Sequence, residues 1–145
     1  DDKEGFKTLV KGNMGTGEAK LQSFHLLSKL GEVSARRAPQ AEIVARYVRK
    51  YLDRKVPVIL CGDFNDTPLS YTRRKIGDGL KDAFVARGNG FGFTFRNRPF
   101  IVRIDHILYG KAFRALSCEI DKTADESDHS PISAVLALDE AFYQD

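Results

Sequence analysis

An α/β layered fold is the economical reading of this sequence. Helical periodicity leads the chain, and short apolar runs closed by glycine and polar loops follow it. Residues 1–17 are polar and glycine-rich, with little to bury. From Glu18, apolar residues recur every third position at Leu21, Phe24, Leu27, Leu30 and Val33, which fits a helix face. Ile43, Val44, Tyr47, Val48 and Tyr51 continue that period to about Asp53. Pro39 lies between the two sets and predicts a kink or two abutting helices. The organisation is thus a polar segment, 1–17, and a domain over 18–145, helical over 18–53 and carrying sheet and motifs over 56–138.

Val56-Pro-Val-Ile-Leu-Cys-Gly62 reads as a buried strand emptying into the loop Asp63-Phe-Asn-Asp-Thr-Pro68. Leu69–Ile76 predicts a short helix closed by Gly77 and Gly79. Gly88, Gly90 and Gly92 make a flexible loop ahead of Phe93-Thr-Phe95. Residues 101–109 form the next expected strand, with Phe113–Ile120 as its partner. Residues 121–130 are polar loop, and Ile132–Leu138 is a last buried strand.

Composition narrows the function classes. The net charge of +3 comes from scattered basic residues, with no block dense enough to announce nucleic acid. Phe91, Phe93 and Phe95 near Arg96 and Arg98 are the one hint of an aromatic platform for nucleic acid, and core packing explains Phe93 and Phe95 as well. Cys61 and Cys118 fall in apolar runs and read as small buried hydrophobes, not as a disulfide framework or a zinc site. No run of eighteen apolar residues exists, and Asp1-Asp2-Lys3-Glu4 is the opposite of a signal peptide. The chain reads as soluble, and its polar start as that of an excised piece whose parent an upstream segment could anchor to a membrane.

Several patterns fail on inspection. Gly12-Asn-Met-Gly-Thr-Gly17 has the glycine spacing of a phosphate loop, but Glu18 stands where lysine is required and would repel phosphate. Gly88–Gly92 lacks the spacing and the following helix of a dinucleotide fingerprint. No G-x-S-x-G elbow exists around Ser130, and His25 sits at a helical position between Phe24 and Leu26. Three sites remain at expected strand ends: Gly62-Asp-Phe-Asn65, Arg103-Ile-Asp-His106 and Ser127-Asp-His-Ser-Pro131. Asp63 and Asn65 point the same way from an extended segment, about 7 Å apart. Each site has a plainer reading: an Asx turn at Asp63, an ion pair between Asp105 and Arg103, and a helix cap or solvated loop at Asp128-His129. Together they supply three carboxylates, an amide and a histidine, the inventory for metal-assisted attack of water on a phosphoester.

In the order GDFN, R-I-D and SDH-x-P, residues 39–138 resemble the carboxyl-terminal half of the endonuclease/exonuclease/phosphatase (DNase I-like) superfamily. Cys61-Gly-Asp-Phe-Asn-Asp-Thr-Pro-Leu-Ser-Tyr71 and the run into Arg103-Ile-Asp-His-Ile-Leu108 are similar to Bacteroidetes-type bacterial members. The resemblance implies one β-sheet half with flanking helices of a four-layer sandwich. It implies that Asp63 aligns or deprotonates the attacking water and that Asn65 orients that water and donates to a phosphoryl oxygen. His129 would contact the scissile phosphate, with Asp105 holding its other ring nitrogen. Asp128 would help hold Mg²⁺, or Mn²⁺ in its place.

The departures from that pattern are as informative. The family's first half brings an asparagine strand, a glutamate that is the principal metal ligand, and a further histidine or tyrosine. Glu4, Glu18 and His25 match none of these. Residues 18–53 resemble the insertion that some bacterial members carry. The resemblance therefore implies half an enzyme, inactive alone, whose partners are a phosphate-ester substrate and the missing N-terminal half. Its uncovered sheet face invites self-association. The competing class is a non-catalytic phosphate- or partner-binding module, against which stands the joint presence of Asp63, Asn65, Asp105, Asp128 and His129.

Overall fold

The computed structural model of the chain describes residues 36–96 and 101–143. Its contacts divide the chain into two compact units, Asp1–Pro39 and Gln40–Asp145. Only residues 36–39 of the first are described, so the expected helix over Leu21–Val33 lies outside the described residues.

Helix α1 spans 36–52, uninterrupted by Pro39 among the described residues. Its buried stripe runs through Ala41 and Val48, with Val44 and Leu52 half-buried beside them. Ile43, Tyr47 and Tyr51, expected on that face, are exposed. Spaced four apart, they form their own stripe, one the period alone cannot assign to core or solvent. Tyr71 donates to Glu42 at 2.6 Å and Lys75 pairs with it at 3.0 Å, tying α1 to the helix at Tyr71–Ile76.

Strand β1 is Ile59–Asp63, and helix α2 is Tyr71–Ile76, capped by the Ser70 hydroxyl accepting from the Arg73 amide. A two-residue strand β2, Lys81–Asp82, runs directly into helix α3, Ala83–Arg87, with Asp82 as its N-cap. Strand β3 is Asp105–Tyr109, and β4 (Phe113–Ile120) and β5 (Ile132–Leu138) complete the sheet elements before a 3₁₀ turn at Glu140–Tyr143. No helix among the described residues is long and apolar enough to cross a membrane.

The sheet order is β1-β3-β2, antiparallel throughout, with β3 in the centre. Phe113–Ile120 does not partner β3, as the sequence suggested. Both edges of β3 are taken by β1 and β2, so β4 pairs with β5 in a separate antiparallel ladder, bulged between Ala115 and Ser117. Three further expectations are corrected. Strand β1 is an edge strand with Leu60 alone half-buried, so Ile59 and Cys61 are exposed. The regular strand begins at Asp105, Val102 making only an isolated bridge to Phe95. Strand β5 alternates half-buried and exposed residues through Val135, as one face against the core requires.

Helix α3 packs on β3 and β4, and the core gathers there: Ala83, Phe84, Tyr109, Ala115 and Cys118 are buried together. Gly92 is needed at this point. Its φ is +71°, and an added Cβ would enter the Phe84 ring. The core thus fixes α3, whose cap Asp82 lies on β2 opposite Leu108 of β3.

Candidate active site

In the antiparallel register of β1 and β3, the last residue of one strand faces the first of the other, so Asp63 stands directly opposite Asp105. The segment after the polar loop joins them through an isolated bridge between Phe95 and His129. Nδ1 of His129 then lies 2.9 Å from Oδ2 of Asp105. Donor atoms of Asp63, Asp105 and His129 all fall within 4.8 Å of one another. Three motifs separated by some forty and then twenty residues of chain thus meet at one end of one sheet.

Asp63 is held by its own loop. The Asn65 amide donates to Oδ1 at 2.7 Å, and Asn65 Nδ2 donates to Oδ2 at 3.1 Å. That geometry requires the left-handed φ of +49° at Asn65, which asparagine tolerates better than most residues. The Asx turn and the functional arrangement are therefore one structure. A carboxylate accepts about four hydrogen bonds, so Asp63 retains capacity after these two.

Thr94, which the sequence reading passed over, braces the pair. It is fully buried, and its hydroxyl accepts from the amides of both Ile104 and Asp105, each at 3.1 Å. Its carbonyl accepts from the Ser130 amide at 2.6 Å. One residue thus fixes the backbone at Asp105 and next to His129. The signal available was a lone threonine between two phenylalanines, and nothing in its neighbours names those distant amides. Phe95 adds an edge contact to the His129 ring, centroids 5.1 Å apart.

Burial of the His129 imidazole opposes protonation. The hydrogen bond and charge of Asp105, with Asp63 and Asp128 behind it, outweigh that effect, and the ring's pKa is raised. Asp128 itself is exposed, close enough to act on His129 by charge but outside the tight group of Asp63, Asp105 and His129. Arg103 does not pair with Asp105. Its guanidinium lies 3.0 Å from both oxygens of the buried Asp82, which Arg73 also reaches at 2.8 Å. Beside the site a cleft of about 480 Å³ opens between Thr67-Pro68 and Phe91, Phe93 and Ile101.

The strand ends at Asp63 and Asp105, with Asn65 and His129 beside them, bring two carboxylates, an amide and an imidazole to one place. The profile of the Endonuclease/Exonuclease/phosphatase family matches residues 15–129, and the chain belongs to that family. It is similar to a solved endonuclease/exonuclease/phosphatase from Bacteroides vulgatus, with 28% identity and a TM-score of 0.60, over 71% of this chain and 44% of the other. A family protein from Bacteroides thetaiotaomicron matches at 25% identity and a TM-score of 0.59, over 74% of this chain and 46% of that one. The fold is shared too with the mannosyl-6-phosphatase Bt3783 of Bacteroides thetaiotaomicron VPI-5482, at 23% identity and a TM-score of 0.56, covering 70% and 46%. This chain therefore spans less than half the length of these solved relatives. No curated protein matches it in sequence.

Proposed function

We propose that the chain carries the phosphate-facing part of a divalent-metal-dependent phosphoesterase that cleaves its substrate with an activated water. The observation that carries this reading is the meeting of Asp63, Asp105 and His129 within 4.8 Å, with His129 hydrogen-bonded to Asp105. Asp63 aligns or deprotonates the water, and Asn65 shares the second donor of its amide with that water or a phosphoryl oxygen. Asp105 accepts the hydrogen bond of Nδ1–H, and in the protonated ring Nε2–H of His129 is left to donate to the phosphoryl group. The raised pKa keeps that ring protonated nearer neutrality, when a donor is needed as negative charge develops.

The donor set suits a hard cation. Asp63 and Asp105 offer carboxylate oxygens within one close group, which fit Mg²⁺ or Mn²⁺ better than a soft metal, and they would hold it, with Asp128, outside that group, helping through water. When bound, the cation supplies neutralising charge at the phosphoryl oxygens. The resemblance places the principal metal ligand on a first-half glutamate that no residue of this chain matches. These 145 residues alone are therefore expected to turn over poorly.

The name of the Bt3783 neighbour makes a sugar phosphomonoester the first substrate to try. The test is hydrolysis by the full-length protein of bis-p-nitrophenyl phosphate, p-nitrophenyl phosphate and mannose 6-phosphate, each with Mg²⁺, Mn²⁺ or EDTA. Metal-stimulated release from at least one is expected. Turnover unaffected by EDTA, or none with any ester, would sink the assignment.

A further inference from the structure

Two polar residues of the Arg103-Ile-Asp-His106 motif, Arg103 and His106, have no part in the chemistry above, and both are buried. His106 follows Asp105 on β3 and so faces the opposite side of the sheet, where it is fully buried. Its Nε2 lies 3.2 Å from the Asp66 carbonyl oxygen. Its Nδ1 lies 3.3 Å from Nη1 of Arg103 and 3.6 Å from Oδ2 of Asp82. Phe64 closes the ring edge-on, centroids 5.2 Å apart.

These contacts select one tautomer. A carbonyl oxygen only accepts, so Nε2 must carry the hydrogen that meets Asp66. Nδ1 has the donating Arg103 guanidinium at 3.3 Å and the accepting Asp82 carboxylate only at 3.6 Å, beyond hydrogen-bond distance, so it is the acceptor that meets Arg103. Arg103 is itself held by both oxygens of Asp82, and Asp82 is anchored by Arg73 and by capping the amides of Phe84 and Val85. A continuous polar line therefore runs from the start of α3 to the Asp66 carbonyl. Asp66 is the neighbour of Asn65, whose left-handed backbone persists only where its surroundings over-determine it. In that conformation alone does Asn65 reach both oxygens of Asp63.

We propose that His106 is a positioning residue: through Nε2–H it holds the Asp66 carbonyl, and thereby keeps Asn65 folded against the Asp63 carboxylate. The proposal rests on the assignment of Asp63 and Asn65 to the reaction, but its central claim is structural and can be read without turnover. If His106 merely filled space in the core, its replacement would lower global stability and leave the Asn65 loop as it is.

The test uses the full-length protein with three variants. His106→Phe keeps a flat aromatic ring, somewhat larger, and removes both nitrogens. His106→Gln sets an amide donor near the Nε2 place, and His106→Asn sets its amide near the Nδ1 place, short of Asp66. Long-range ¹H–¹⁵N correlation of the wild-type imidazole is expected to show the Nε2–H tautomer, and the Nδ1–H form would overturn the proposal. Exchange of the Asn65 amide should quicken by about tenfold or more in His106→Phe and His106→Asn, while β4 and β5 amides stay unchanged. His106→Gln should restore it. Turnover should follow, with kcat down by about tenfold to a hundredfold and KM within about threefold, the scale of a misplaced catalytic group. Should His106→Phe not fold, His106→Asn carries the comparison. Wild-type exchange at Asn65 in a folded variant that lacks the Nε2 donor would overturn the proposal. If the wild type hydrolyses no ester, the functional assignment fails alone, and the tautomer and exchange readouts still decide the role of His106.

Discussion

Asp63 and Asp105 face each other as partners in the ladder of β1 and β3, so the two carboxylates are placed by backbone pairing and not by loop packing. Two carboxylates so close repel unless a cation or a charged donor lies between them. His129 supplies a donor to one and the Asn65 amides supply donors to the other. The site is thus satisfied as it stands, which has measurable consequences.

His129→Ala and Asp63→Asn should each lower phosphoester hydrolysis by the full-length protein about a hundredfold or more, the scale of lost acid–base or oxyanion assistance. Asp63 is exposed and His129 only half-buried, so stability should move by less than about 1 kcal/mol. Steady-state rates with Mg²⁺ and urea melts read the two effects separately. Near-wild-type turnover in either variant would contradict the assigned role.

The Asp105–His129 pair should appear in the pH dependence. The folded pKa of His129 is raised, so the stability the pair contributes is fully present below the unfolded value of about 6.5 and is lost as pH rises through the folded value. Asp105→Asn should lower the His129 midpoint, read from its Cε1–H resonance with EDTA present. It should also flatten the slope of stability against pH above about 6.5. A midpoint unchanged by the substitution would show that Asp105 is not the cause.

Asp82 titrates in the other sense. Burial alone would raise its pKa, but Arg103, Arg73 and the Val85 amide overcome that and hold the carboxyl well below the usual carboxylate range. Its stabilisation is present above the unfolded value of about 3.9 and disappears as pH falls from there through the folded value. Asp82→Asn leaves two buried guanidinium groups uncompensated and should cost about 3–5 kcal/mol at neutral pH. The acid limb of the stability curve should flatten in the variant. An Asp82→Asn protein as stable as wild type at pH 7 would show that the cluster is not the base of the fold.

Gly92→Ala should destabilise by about 2 kcal/mol, combining a left-handed backbone that alanine disfavours with overpacking against Phe84. Urea denaturation measures it. A loss below about 0.5 kcal/mol would mean that the Phe84 ring moves aside at little cost.

Much of this arrangement was legible because polar residues that end apolar runs stand out. Asp63 after Gly62 and Asp105 before Ile107-Leu108 are visible from composition and order alone. Partnership between strands was not. Tyr109 and Phe113, separated by three residues, read as a hairpin, yet β3 had no edge left to offer. Helix α3 was missed because five residues are too few to show a period, although Asp82 and Gly88 bracket it as cap signals. Cys61 misled because an apolar run does not say whether a strand lies at the centre of a sheet or at its rim. Thr94 and His106 act on amides and a carbonyl ten to forty positions away, and backbone groups leave no mark in a list of side chains.

Thr94 also limits how this site can vary. Because its hydroxyl steadies the Asp105 backbone and its carbonyl steadies Ser130, a tilt of that one residue carries the aspartate and the histidine along in concert. Their mutual spacing is thus set by one buried brace, and the ladder of β1 and β3 sets the spacing of Asp105 from Asp63. A site refitted to a bulkier or smaller oxyanion would have to change at Thr94 or in the ladder itself, because both dimensions rest on backbone groups.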